Sequence, residues 1–140
     1  MEQTRLTSIE KVIFLKSVDI FSQAPIEELG KVASLTQEVQ FKPGDTIYRE
    51  GEPVDAIYLI LKGRVAVEGN GQVIREVGEK QAFGTVAALD RNPAIHTVSA
   101  VDDVHALKLN AQDFDDILSL DFELVRAVFH ALCRLVRSGI

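Results

Sequence analysis

Residues 83–98 read Phe83-Gly84-Thr85-Val86-Ala87-Ala88-Leu89-Asp90-Arg91-Asn92-Pro93-Ala94-Ile95-His96-Thr97-Val98. The stretch follows a turn and opens with a glycine, which lets backbone approach a ligand closely. A short helical run comes next, and the first amides of such a run have no partner inside it. Free amides at that point suit an anion. Phe83, Gly84, Thr85, Val86 and Ala87 are therefore the candidate phosphate cradle of this chain.

Working outward, the sequence from Thr36 to Asn110 has a period of two, broken by turn residues. Lys42-Pro43-Gly44-Asp45, Arg49-Glu50-Gly51-Glu52-Pro53, Lys62-Gly63, Gly69-Asn70-Gly71 and Gly78-Glu79 separate β-rich segments at 37–41, 46–48, 56–61, 64–68, 72–77, 96–101 and 104–109. Short strands at that spacing predict a sandwich or barrel, and Asn70-Gly71 predicts a hairpin because both residues tolerate positive φ. Gly44, Gly51, Gly63, Gly71 and Gly78 are read as turn positions with positive φ.

Helices flank this β region. Thr7 and Glu10 have capping-box spacing ahead of Ile9, Val12 and Ile13. Pro25 suits the first turn of a helix that lines up Ile26, Leu29, Val32 and Leu35. Asn110 is a good N-cap, with Phe114, Ile117 and Leu118 facing inward. In the segment from Phe122 to Arg137, the polar residues Glu123, Arg126, His130, Arg134 and Arg137 fall on one narrow stripe. The remaining surface is apolar, wider than a surface helix buries. Two readings follow: the helix is buried within its own domain, or Val125, Val128, Phe129, Leu132 and Val136 include an output face that meets a second copy or a neighbouring domain. The second is preferred.

With 140 residues, 46% hydrophobic and 26% charged, the chain is one ordinary globular domain rather than two. Residues 1–36 are expected to carry the N-terminal helices, 37–109 the barrel with its loop at 83–98, and 110–137 the C-terminal helices. Fifteen Lys+Arg against 21 Asp+Glu give a net charge of −6, without a basic cluster, which excludes direct nucleic-acid binding by this segment. No apolar run is long enough for membrane contact. One cysteine, Cys133, forms no internal disulfide and fits a reducing, cytoplasmic setting. Enzymes need clustered ligands or acid–base pairs, whereas His96, His105 and His130 are scattered, so neither catalytic residues nor a metal site is expected. His96 reads as a packing or hydrogen-bonded residue, with a haem-ligand role the weaker alternative.

Phe41-x-Pro43-Gly44-Asp45-x-Ile47, Glu50-Gly51, Asp55-x-Ile57-Tyr58-Leu59-Ile60, Gly63-x-Val65-x-Val67 and Gly78 precede Phe83-Gly84, Ala87, Pro93, Thr97-Val98 and Ala100. In order and spacing this series resembles the cyclic-nucleotide-binding domain, the jelly-roll sensor of catabolite-activator-type regulators, cyclic-nucleotide-dependent kinases and gated channels, over about residues 20 to 137. The resemblance implies a mainly β double-stranded β-helix barrel with flanking helices. It places residues 83–98 on the family's phosphate-binding cassette, roughly F-G-E-[IL]-A-L, a short loop, then P-R-[ATS]-A-T-V. The family's glutamate, which holds the ribose 2′-hydroxyl, falls on Thr85, and its arginine, which neutralises the cyclic phosphate, falls on Ala94. Lys80-Gln81-Ala82 also stand where the family often has Gly-Asp-Phe.

Each lost charged hydrogen bond removes about 1.5–3 kcal/mol, so losing both weakens binding by roughly a hundredfold to more than ten-thousandfold. The expected pocket thus comprises Phe83 to Ala87 with Ala94, Ile95 and His96. It takes a cyclic nucleotide or another small anion at low affinity, and Ile95 and His96 make its wall bulkier and more apolar. Arg91 reads as a solvated loop cation. In the family, ligand capture repositions the C-terminal helices. The expected function is a non-catalytic regulatory or sensor module of a larger protein, whose partners are the rest of that protein or a second copy through the last helix. The leading segment Leu6 to Leu15, similar to the helix that bacterial chains place ahead of this module, favours a multidomain parent. A structural docking or dimerisation domain without a small-molecule ligand is the alternative.

Overall fold

Thr7 Oγ1 accepts the Glu10 amide at 3.1 Å and Glu10 Oε1 accepts the Thr7 amide at 2.8 Å, closing both halves of the capping box. This pair starts α1 (Ser8–Ser17) in a computed structural model that describes residues 5–138. A 3-10 turn (Asp19–Phe21) and α2 (Ile26–Ala33) follow. Pro25 stands just ahead of α2, at ψ 151°. Its ring fixes φ but leaves ψ extended, so it caps the helix instead of joining the first turn.

The β region contains β1 (Thr36–Phe41), β2 (Thr46–Tyr48), β3 (Ala56–Lys62), β4 (Val65–Gly69), β5 (Gln72–Val77), β6 (Ala82–Phe83), β7 (Thr97–Ala100) and β8 (Val104–Asn110). A helix, α3 (Thr85–Asp90), lies between β6 and β7, and α4 (Ala111–Leu118) and α5 (Phe122–Arg137) close the order. Two four-stranded sheets form, ordered β1-β8-β3-β6 and β2-β7-β4-β5, with antiparallel neighbours throughout. Asn70 at φ 55° and Gly71 at φ 78° make the β4–β5 hairpin as expected. Gly78 does not have positive φ; in that turn the left-handed residue is Lys80, at φ 67°.

The first sheet has apolar cores on both sides. Ile57, Leu59, Leu107 and Leu109 pack outward against Phe21, Leu29, Phe114, Leu124 and Val128 of the helices. Ile60, Val104 and Ala106 face the barrel interior with Val65, Val67, Val77, Phe83 and Val98. Burial on both faces explains why Ala56 to Leu61 is a continuous apolar run and does not alternate. The helical layer rests directly on β3 and β8, and α3, α4 and α5 contribute to one shared core.

Candidate functional site

Gly84 precedes α3 in the left-handed region, at φ 80°, which L side chains rarely adopt. A Cβ there would lie 2.9 Å from the Ala56 carbonyl oxygen and 3.7 Å from Tyr48 Cε2, so the loop passes tightly against the Ala56 carbonyl, with the Tyr48 ring alongside. Its other end is pinned by main chain. The Gly51 amide donates to Ala94 C=O at 2.7 Å, and the Ala94 amide donates to Glu52 C=O at 2.9 Å. Glu50 N–H adds a bond to Thr97 Oγ1 at 3.0 Å. The cassette's shape therefore rests on glycine and backbone hydrogen bonds, and does not require a ligand-binding side chain.

Phe83 is buried in the barrel interior and stacks on Tyr58 at 4.9 Å, with Tyr48 tilted 6.2 Å away. Thr85 and Ala87 are half-buried and Val86 is exposed on α3. Ala94 is buried, whereas Ile95 is 70% exposed. Both polar groups of Ala94 are bonded to the 51–52 turn, and the next side chain, Ile95, is turned to solvent. His96 is half-buried, its Cδ2 3.1 Å from the point where a Cβ on Gly69 would stand, alongside Ile74. His105 instead bonds Glu38 Oε1 through Nε2 at 2.9 Å.

Arg91 ends α3 at φ 60° and turns away from the cassette. Its Nη2 contacts Asp115 Oδ2 at 2.5 Å and Gln112 Oε1 at 3.2 Å. The expected solvated loop cation is thus a tether from the cassette helix to α4. Ala88, from the middle of α3, is buried in the same core as Phe114, Leu124 and Val128.

The predicted output face of α5 is divided. Val128 is buried in the domain's own core, and Val125 and Leu132 are half-buried, Leu132 against that core. Only Phe129 and Val136 of the five are exposed, at 59% and 71%, joined by Phe122 at 74%. Asp121 caps the helix, its Oδ1 accepting the Leu124 amide at 3.0 Å. Burial raises the Asp121 pKa, but the Leu124 amide, Lys31 and a hydrogen bond with Glu28 outweigh that and hold the carboxyl below its ordinary range.

The residues that sequence reasoning missed are Tyr48 and Tyr58, whose rings frame Phe83, and the cations that share their faces. Burial pushes Tyr48 up to about 12, with Tyr58 adding to the shift and Arg75 opposing it. Burial, then the Asp55 carboxylate, likewise raises Tyr58. Strand alternation alone does not reveal these neighbours, because their meeting depends on register.

Two rolled antiparallel sheets, a glycine-led loop and helix inserted between β6 and β7, and terminal helices packed on the barrel define a jelly-roll class of regulatory-domain fold. The chain belongs to the cyclic nucleotide-binding domain family, whose profile matches residues 38–121. A cAMP-dependent protein kinase regulatory subunit of Emericella nidulans is 31% identical over 107 residues, 75% of this chain and 26% of that protein. The CRP-like cAMP-activated global transcriptional regulator of Mycobacterium tuberculosis is 25% identical over 118 residues, 79% of this chain and 53% of that protein. Among solved structures, a three-substitution mutant of the regulatory subunit of a cAMP-independent protein kinase A from Trypanosoma brucei, bound to cAMP in the A site, has a TM-score of 0.78 at 27% identity, over 91% of this chain and 46% of that one. The chain spans about a quarter to a half of the length of these curated relatives, in which the domain is one part of a larger regulatory protein. No described helix is long and apolar enough to cross a membrane.

Proposed function

We propose that this domain is a non-catalytic sensor module of a larger protein, in which occupancy of the barrel pocket is passed to α4 and α5. The observation that carries this is the double link from the cassette helix to the output helices: the Arg91 tether to Asp115 and Gln112, and the placement of Ala88 in the core that contains Phe114, Leu124 and Val128. A displacement of α3 changes both links together, which is the differential contact that a two-state response requires.

The ligand is not held as the family holds it. Thr85 and Ala94 supply neither the carboxylate for a ribose hydroxyl nor the cation for a cyclic phosphate, so cAMP and cGMP bind weakly if they are the ligands. The similar Trypanosoma brucei regulatory subunit belongs to a cAMP-independent protein kinase A, and the structure of it that binds cAMP is a three-substitution mutant. The signal is received by the rest of the parent protein or by a second copy, along the exposed line of Phe122, Phe129 and Val136, spaced seven residues apart on α5. A dimer that Phe129→Glu converts to a monomer in sedimentation velocity supports the second copy; a monomeric wild type assigns the line to a neighbouring domain.

The test of the sensor reading is an amide NMR titration with millimolar cAMP, cGMP, adenosine and guanosine. A saturable ligand shifts cassette amides and, in proportion, amides of α4 and α5. Silence with every probe favours the second reading, a docking domain whose barrel is filled by its own Phe83, Tyr48 and Tyr58 rings.

A further inference from the structure

Residues directly opposite each other in an antiparallel pair share a face. In the second sheet, Arg75 stands opposite Val67, Val67 opposite Val98, and Val98 opposite Tyr48. Both valines are buried in the barrel interior, so this row faces inward, with Arg75 at its exposed outer edge on β5. In the first sheet, Lys108 stands opposite Tyr58, which stands opposite Phe83. Phe83 is also interior, so Lys108 belongs to the inward face as well. A chain of net charge −6 thus places two cations on the inner faces of a barrel.

Among the described residues neither cation has an ion-pair partner, although Lys31, Arg64 and Arg91 are all paired. Neither the Tyr48 nor the Tyr58 hydroxyl has a hydrogen-bond partner among them either. No buried side-chain polar atom is left unsatisfied, so both hydroxyls reach the surface. Both phenols are raised, so they are protonated donors at physiological pH, and Tyr48 feels both Tyr58 and Arg75. Asp55, beside Tyr58, is the acidic group that opposes an anion there.

We infer that Tyr48, Tyr58, Arg75 and Lys108 form an anion site at the barrel mouth, which takes the phosphate ester or carboxylate of a small ligand in place of the cation missing at Ala94. Arg75 supplies a planar fork suited to two-oxygen acceptors, and the phenols supply neutral donors. Tyr48 also packs beside Gly84, so the site borders the cassette, and a ligand held there touches the α3 loop that leads to α4. The inference rests on the sensor reading and adds to it the charge of the ligand and the residues that read it.

The test is calorimetry on the full chain with cAMP, cGMP, their nucleosides, inorganic phosphate and citrate, repeated on Arg75→Gln, Lys108→Gln and the double variant. Both side chains are outside the buried cores, and circular dichroism checks that each variant folds. The anion site requires nucleotides to bind at least about tenfold tighter than their nucleosides, and Arg75→Gln to remove about tenfold or more of that affinity. Phosphate against citrate separates the two ligand sources. Equal binding of nucleotide and nucleoside, unchanged in the double variant, overturns the anion site and leaves the sensor reading standing. No saturable binding of any probe overturns both.

Discussion

The cassette and the last helix are held in place by opposite means. Between Gly84 and Ala94 the fixing contacts are main-chain: a left-handed glycine against the Ala56 carbonyl, and two backbone bonds from Ala94 to the 51–52 turn. Side chains hold α5, through the Asp121 cap and the burial of Leu124, Ala127, Val128 and Ala131. The contrast means that the course of the loop does not depend on which side chains stand at Thr85 and Ala94. Shape and chemistry are separable in the cassette and inseparable in α5.

Phe114→Ala breaks the contrast most severely, because Phe114 is fully buried against Phe21, ring to ring at 5.8 Å, in the core that both regions share. A loss of about 3–5 kcal/mol in denaturant unfolding is expected, as for large-to-small changes in a packed core. Gly84→Val should act first on the cassette. Its Cβ meets the Ala56 carbonyl and a backbone at φ 80°, at a cost of about 1–3 kcal/mol. Amide shifts should concentrate around residues 48–56 and 82–96 and extend, more weakly, into α4 and α5 through the Arg91 and Ala88 links.

Asp121→Ala should act on α5 and on its link to Lys31 of α2, at about 1 kcal/mol for the lost N-cap. Because the folded carboxyl is held below its ordinary value of 3.8, its contribution is fully present above that value and is lost as pH falls through the lowered folded pKa. Acid unfolding followed by circular dichroism should therefore show a shallower stability loss below pH 4 in the alanine variant than in the wild type.

What could be read from the sequence follows the same division. The Thr7–Glu10 box, the Asn110 cap, the Asn70-Gly71 hairpin and the span Phe122–Arg137 depend on residues close together in the chain, and all were legible. Strand β6 has two residues and exists through its pairing with Tyr58 and Leu59, so no local pattern announces it. The cassette could be placed from Gly84, but the direction of Ile95 depends on distant bonds to the 51–52 turn. Arg75 and Lys108 look like ordinary strand cations until register sets them opposite Val67 and Tyr58. In α5, apolar width was visible, but which residues the 3-10 turn and α4 would cover was not.

The most direct test of the central claim, that the cassette keeps its form while lacking its ligand side chains, is cAMP calorimetry on wild type and on the Thr85→Glu, Ala94→Arg double variant. Restored partners should raise affinity by roughly a hundredfold to more than ten-thousandfold over a weak wild type, without changing the fold. A double variant that binds no better than wild type, or a wild type that already binds as tightly as the restored one, would contradict it.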